Sequence, residues 1–438
     1  MASTSPSPAA PRSSAGWRSR DRRRALCEGR DMSESTRGPE QVVVVGAGEC
    51  GTRAAMALRE RGFTGEITLL GREEVIAYER PPLSKAALAA DDPELVHPWT
   101  EEALAEAGIS LRLGVEVTAI DREGRTVETT DGPVPYDRLV LATGAGPRRL
   151  GLDHVHYLRT HADAATLRDL VRRGGRLLVV GAGFIGLEIA AGARERGMEV
   201  VVVEAADRAL ARMVPSVVAD RVVALHAEHG VTVRTGTTVT SVERHAEGLR
   251  AALSTGEGLE VDAVVAGVGA APHTEIASAA GLLVEDGIVV DEQLRTSDPR
   301  IWAAGDCAAF PDARSGHRVR VESWRSAHDQ AVTVAASMTG GQEPHVAVPW
   351  FWSDQYDQML QTAGLPTTAV TDVERERADG SLIHFGLDAG GRLVAATSLG
   401  RGPVVAKDIR VAEQLIATRA TPDPAALADP GVALRSLR

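Results

Sequence analysis

The segment QVVVVGAGECGTRAAMALRERG (41–62) returns 135 positions later as RLLVVGAGFIGLEIAAGARERG (176–197), and this repeat restricts the fold more than any other feature. Each copy runs a continuous apolar strand into a G-x-G-x-x-G turn and then opens an amphipathic helix, the pattern of a βαβ unit on a parallel sheet. The duplication extends further. GISLRLGVEVTAIDR (108–122) aligns with GVTVRTGTTVTSVER (230–244), and YDRLVLATGA (136–145) with VDAVVAGVGA (261–270). Each half is therefore read as βαβ, further helix, a small meander of β-branched strands, and a last buried strand ending at glycine.

Two Rossmann-like dinucleotide-binding domains in series account for this pattern. In Gly46-Ala47-Gly48-Glu49-Cys50-Gly51 and Gly181-Ala182-Gly183-Phe184-Ile185-Gly186 the first glycine permits the tight turn. The second admits a pyrophosphate close to the backbone, and the third lets helix and strand pack. Each helix then presents unpaired N–H groups to the phosphates. In the second copy the strand EVVVVE ends at Glu204, 23 residues after Gly181, where a carboxylate accepts ribose hydroxyls and repels a 2'-phosphate. NADH is expected over NADPH, although Arg208 and Arg212 downstream keep NADPH as an alternative. From about Glu343 the text changes to PWFWSDQY, two alternating strands (SLIHFGLD and RLVAATSLG) and the helix VVAKDIRVAEQLIATR, read as a separate α+β domain.

Composition narrows the function. The net charge of −12 argues against nucleic acid as the main partner, and no 18-residue apolar stretch free of charge suggests a membrane span. The three cysteines, Cys27, Cys50 and Cys307, are too scattered for a CxxC redox pair or a zinc site, so no metal is expected and a reducing, cytoplasmic setting is. Residues 1–40 are rich in Ser, Pro and Arg without apolar periodicity and read as a disordered extension, with Met32 as an alternative start. Arg22-Arg23-Arg24 lacks the apolar run of an export signal.

Of 48 basic residues only Lys85 and Lys407 are lysines. Lys85 ends the rigid segment YERPPLSK, and an ammonium there is a compact point charge that can favour negative charge on a reduced cofactor ring. Lys407 has the context of a surface helix. Two nucleotide folds followed by IWAAGDCA (301–308) suggest a flavin bridging the halves, with Asp306 reaching its ribityl hydroxyls or capping a helix. Trp350, Phe351, Trp352 and Tyr356 gather four of the chain's fifteen aromatics within seven residues.

GAGECG, YERPPLSK, LATGAGPRRL, VVGAGFIGLEIA, GIVVDEQLRTSDPRIWAAGDCA, VESWRSAHDQA and PWFWSDQY together resemble the NADH-dependent ferredoxin reductases of cytochrome P450 and Rieske oxygenase systems, over residues 41–438. The resemblance implies a glutathione-reductase-like α/β fold, with an FAD-binding domain over 41–150 and 273–343, an NAD(H)-binding domain over 151–272 and a C-terminal domain over 344–438. It implies FAD contacts at Gly46, Gly48, Cys50, Gly51, Arg72, Glu73, Lys85, Val117, Thr143, Arg148, Asp306 and Trp324. It further implies NADH contacts at Gly181, Gly183, Ile185, Gly186, Glu204, Gly267, Val268 and Gly269. Lys85, Glu188 and Trp324 are the implied catalytic residues. Lys85 is expected to pair with Glu188, whose place in an apolar helix start demands a partner. The aromatic cluster is placed by the same likeness beside the flavin and the acceptor surface. Two positions depart from the family pattern: Arg72 stands where a small or acidic residue is common, and LATGAGP lacks the arginine of LATGARP.

Residues 71–90 carry no cysteine, unlike the disulfide, peroxide or coenzyme A reductases that share the glycine motifs, so electrons are expected to leave the flavin directly. The expected acceptor is a small iron-sulfur ferredoxin that supplies an oxygenase, with Arg80, Arg325 and Arg401 as candidates for a basic docking patch on a monomer or weak dimer. A rubredoxin reductase, an NADH oxidase and a redox-sensing flavoprotein like apoptosis-inducing factor remain alternatives.

Overall fold

The computed structural model describes residues 40–437 apart from 86, 87, 89, 91, 92, 246 and 247. The extension over residues 1–39, with Cys27 and Met32, lies outside the described residues.

The sequence repeat becomes a repeat of topology. In the first lobe a parallel sheet runs in the order Ile301–Ala303, Arg138–Leu141, Gln41–Val45, Glu66–Leu70, Ile109–Arg112. In the second the order is Val155–His156, Ala263–Ala266, Arg176–Val180, Glu199–Val203, Thr232–Arg234. Both central strands are buried at nearly every position, which parallel strands covered on both faces require. Helix α1 (Glu49–Glu60) leaves the first glycine turn and α2 (Phe184–Glu195) the second. The meanders match down to their irregularities, since the register shifts between Val117 and Ala119 in one and between Val239 and Ser241 in the other. Ala145–Pro147 and Ala270–Pro272, the two segments where the chain passes between lobes, pair antiparallel with each other.

Helix α3 (Ser216–Glu228) packs in the second lobe, and α4 (Trp324–Met338) lies against α1 in the first. The C-terminal lobe is a five-stranded antiparallel sheet in the order Trp350–Gln355, Gln358–Gly364, Leu393–Gly400, Leu382–Leu387, Thr371–Glu376. The last long helix, α5 (Pro403–Ala417), covers one face, where Ile383, Phe385, Ile409 and Ala412 share a core. Leu360, Leu382 and Leu399 on the other face enter the core of the second lobe. The expected in-and-out alternation of these strands is therefore absent: Leu382–Leu387 is buried at all six positions because both faces are covered. Lys407 is exposed on α5 as expected.

Candidate functional site

The two glycine turns are built to receive a flat anionic backbone. A Cβ on Gly46 would stand 2.1 Å from the Ala142 carbonyl oxygen, and one on Gly181 2.6 Å from that of Gly267; both have φ above +100°. The third glycines are equally closed, with Gly46 O at 1.8 Å from a Cβ on Gly51 and Gly181 O at 2.0 Å from one on Gly186. The second glycines differ: nothing lies within 4 Å of a Cβ on Gly48, and only Gly267 O, at 3.7 Å, near one on Gly183. These second glycines are also the N-caps of α1 and α2, and neither helix end has a side-chain cap. Open space over uncapped helix N–H groups is the arrangement that a pyrophosphate fills.

Around the first turn, Asp306 forms an ion pair with Arg159 at 3.1 Å and does not cap a helix with its side chain, so the capping alternative for it is set aside. Cys50 is buried against Gly305, and Cys307 is fully buried with its thiol toward the Leu141 and Ala304 carbonyls. Burial pushes both thiols up, which suppresses the thiolate that redox exchange needs. Glu73 takes Arg80 at 2.5 Å and the Tyr78 hydroxyl at 2.6 Å. Burial works to raise its carboxyl, but Arg80 and Tyr78 outweigh that and hold it below the usual range. Arg72 is largely exposed, its guanidinium 3.9 Å from Glu116. Val117 packs at the edge of the first core, and the Thr143 hydroxyl donates to the His273 carbonyl at 2.7 Å. Trp324 stacks on His328 with ring centres 5.5 Å apart, while its indole N–H is buried without a partner among the described residues. His328 in turn meets Glu49 at 2.9 Å.

Around the second turn, Glu204 accepts the backbone N–H of Ala182 at 2.7 Å and of Ala206 at 2.9 Å, which fixes the carboxylate at the strand end. Arg208 spends its guanidinium on the carbonyls of Ala209, Ala211 and Val214, so it is not free to clamp a 2'-phosphate. Ile185, in the first turn of α2, is an exposed apolar side chain. The Gly267 to Gly269 turn closes over Gly181, and Gly269 accepts the N–H of Arg148 at 2.9 Å.

The lobes meet at Lys85. Its ammonium lies 2.9 Å from Glu188, whose side chain is 2% exposed, and 3.9 Å from Asp354. Ser84 and Ser353 both donate hydroxyls to Glu188, the latter at 2.5 Å. Sequence reasoning placed the Lys85–Glu188 pair but missed Ser84, Ser353 and Asp354, all of which sit inside its quoted motifs. Because side chains alternate along a strand, Trp350–Gln355 turns two different faces outward. Trp350 and Trp352 stack at 5.3 Å on one, with Lys85 5.7 Å from the Trp352 ring and Arg325 5.7 Å from that of Trp350. On the other, Phe351 meets Phe184 edge-on at 4.8 Å beside the second glycine turn. Tyr356 departs from the expected cluster: it stacks on His229 at 3.7 Å, next to α3. Each arginine of the expected basic patch has an acidic neighbour that offsets its charge. Arg80 pairs with Glu73, Arg325 with Glu413 and Arg401 with Asp357, each with its own carboxylate.

Two open glycine turns at helix starts and an ion pair where three lobes meet are the features of a two-nucleotide redox protein. Residues 40–331 match the pyridine nucleotide-disulphide oxidoreductase family and residues 350–438 the reductase C-terminal family, and the chain belongs to the first, with the second as its C-terminal domain. It is similar to rhodocoxin reductase of Rhodococcus erythropolis, 42% identical over 89% of this chain and 92% of that one. It is 43% identical to the anthranilate 1,2-dioxygenase system ferredoxin–NAD(+) reductase component of Burkholderia cepacia, over 90% and 98% of the two chains. The solved covalent putidaredoxin reductase–putidaredoxin complex contains a chain that superposes with a TM-score of 0.85 at 38% identity, covering 91% of this chain and 98% of that one. The cofactors of this family are FAD and NADH, and the open second glycines, the uncapped helix ends and the unpartnered Trp324 N–H fit two such groups.

Proposed function

We propose that this chain is an NADH-dependent reductase that passes electrons singly to a small iron-sulfur ferredoxin, which supplies a cytochrome P450 or Rieske oxygenase in the cytoplasm. The observation that carries the reading is the Lys85–Glu188 pair, held where the lobes meet with Trp352 beside it and both described cysteines buried elsewhere. FAD, when bound, accepts a hydride and releases its electrons one at a time.

The FAD-binding domain is assigned to 41–150 and 273–343, the NADH-binding domain to 151–272, and the reductase domain to 344–438. In this reading Gly46, Gly48, Cys50 and Gly51 hold the flavin dinucleotide's pyrophosphate at the first turn. Arg72 and Glu73 lie at its adenosine end, and Val117, Thr143, Arg148, Asp306 and Trp324 along the rest. Gly181, Gly183, Ile185 and Gly186 hold NADH, with Glu204 on the ribose and Gly267, Val268 and Gly269 closing the turn. Lys85 supplies positive charge where negative charge develops. Glu188 orients that ammonium through the 2.9 Å contact, and the Trp352 ring centre lies 5.7 Å from it. The commitment of Arg208 to backbone carbonyls supports NADH over NADPH.

The test mixes the purified holoprotein with NADH and, separately, [2Fe-2S], [3Fe-4S] and rubredoxin acceptors and oxygen. A ferredoxin is expected to be reduced at least tenfold faster than the others, and preference for rubredoxin or oxygen contradicts the proposal.

A further inference from the structure

A buried hydrogen-bond chain runs away from the ion pair into the second lobe. Ser353 donates to Glu188 at 2.5 Å, Gln355 Nε2 donates to Ser353 Oγ at 2.9 Å, and His226 Nε2 meets Gln355 Oε1 at 2.8 Å. The Tyr356 hydroxyl lies 3.4 Å from His226 Nδ1. Ser353, Gln355 and His226 are each 0% exposed, and Ser353 and Gln355 share one face of their strand because they are two residues apart.

One charge sets the direction of every bond in the chain. A carboxylate only accepts, so the Ser353 hydroxyl must donate to Glu188 and its oxygen is left to accept from the Gln355 amide nitrogen. That turns the Gln355 oxygen toward His226, whose Nε2 must then carry the hydrogen and whose Nδ1 accepts from Tyr356. Burial lowers the His226 imidazole below its usual range despite the Gln355 bond, in keeping with this neutral tautomer. The chain links α3, the strand Trp350–Gln355 and α2, whereas Lys85 and Ser84 come from the first lobe.

We infer that Gln355 and His226 are positioning residues for the Lys85–Glu188 pair: they lock Ser353 as a donor to Glu188 and so fix the carboxylate that orients the Lys85 ammonium. This inference rests on the reading of that pair as the charge beside the flavin that accepts the hydride. A buried polar network of this kind is sensitive to the loss of any member, since each neighbour is left unpaired.

The composition provides the probe. Lys85 and Lys407 are the only lysines, so holoprotein labelled with 15N-lysine gives two side-chain signals, one of them from an exposed helix position as an internal control. In Gln355→Met and in the isosteric Gln355→Glu, which would turn the Ser353 hydroxyl away from Glu188, the Lys85 ammonium signal should shift and lose protection from solvent exchange while Lys407 stays fixed. Flavin reduction by NADH should slow about 5- to 30-fold, the equivalent of one buried hydrogen bond, with NADH affinity within twofold. His226→Leu should behave alike, and His226→Gln, which keeps a donor for Gln355, should restore both readouts. If both Gln355 variants retain bound flavin and leave the Lys85 signal and the rate unchanged, the inference is overturned. A wild-type chain that oxidises no NADH overturns the functional reading instead, because the Lys85 signal needs no substrate.

Discussion

Lys85→Met and Glu188→Gln should move the flavin's two-electron potential in opposite directions. The first removes an ammonium but keeps an apolar stem, leaving Glu188 with the hydroxyls of Ser84 and Ser353. The second leaves the ammonium opposed, among the described residues, by Asp354 alone, at 3.9 Å with a side chain 38% exposed and therefore screened. At 2.9 Å and an effective dielectric constant of about 20, the Lys85–Glu188 attraction is on the order of 6 kcal/mol before desolvation is subtracted. The surplus felt by a neighbouring group is that of one charge-assisted donor, about 1.5–3 kcal/mol. On a two-electron couple this is about 30–60 mV, downward for Lys85→Met and upward for Glu188→Gln. The potential is read by equilibrating each holoprotein with a reference dye under anaerobic conditions. Hydride transfer in Lys85→Met should also slow about 10- to 100-fold, with NADH affinity within threefold. Shifts in the same direction, or neither above about 10 mV, would refute an electrostatic role for the pair.

Three other expectations follow from separate parts of the molecule. Glu204→Ala removes the acceptor of the Ala182 and Ala206 N–H groups and the carboxylate opposed to a 2'-phosphate, so kcat/KM for NADH should fall about 10- to 100-fold and NADH/NADPH discrimination should shrink; unaltered discrimination assigns selectivity to other residues. His345 is pushed down to about 4, by burial first and Arg314 next, so the unfolded chain binds more protons than the folded one between about pH 6.5 and 4. Stability from this group is present above pH 6.5 and is lost as pH falls through that window, by up to about 3 kcal/mol; His345→Gln should flatten that part of a denaturation profile. Cys50→Ala and Cys307→Ala should each keep NADH-dependent ferredoxin reduction as long as flavin stays bound, and neither thiol should react with iodoacetamide in the folded protein; loss of turnover in a variant that retains its flavin points to disulfide chemistry.

The doubled α/β architecture was legible because it rests on local signals: an apolar strand, glycines that no Cβ can replace, and a helix opening at a fixed distance. The repeat even fixed which strands neighbour which, since both sheets place the copied strands in the same order. The C-terminal strands were harder. Their burial on both faces comes from the second lobe and α5, and no window of sequence reveals which distant element will cover a strand. At the site, Lys85 stood out by rarity and Glu188 by a charge in an apolar helix. Ser84, Ser353 and Gln355 gave no such signal, because short polar side chains are common in every surface turn and strand. His226 had a weak one, as a polar residue on the buried face of α3 with Val218, Val222 and Leu225. Tyr356 adjoins the tryptophans in sequence but not in space: it opens the turn that ends the strand, at a φ of 55°, and stacks on His229.

Electrons are expected to enter as a pair from NADH and leave singly to a ferredoxin. The most direct test is an anaerobic titration in which limiting NADH is added to the holoprotein with excess oxidised [2Fe-2S] ferredoxin, following the flavin and iron-sulfur absorbances together. Two ferredoxins should be reduced for each NADH consumed, through a flavin that bleaches and recovers. A flavin that stays oxidised while NADH is present, or one that bleaches but passes no electrons to ferredoxin, contradicts this electron route.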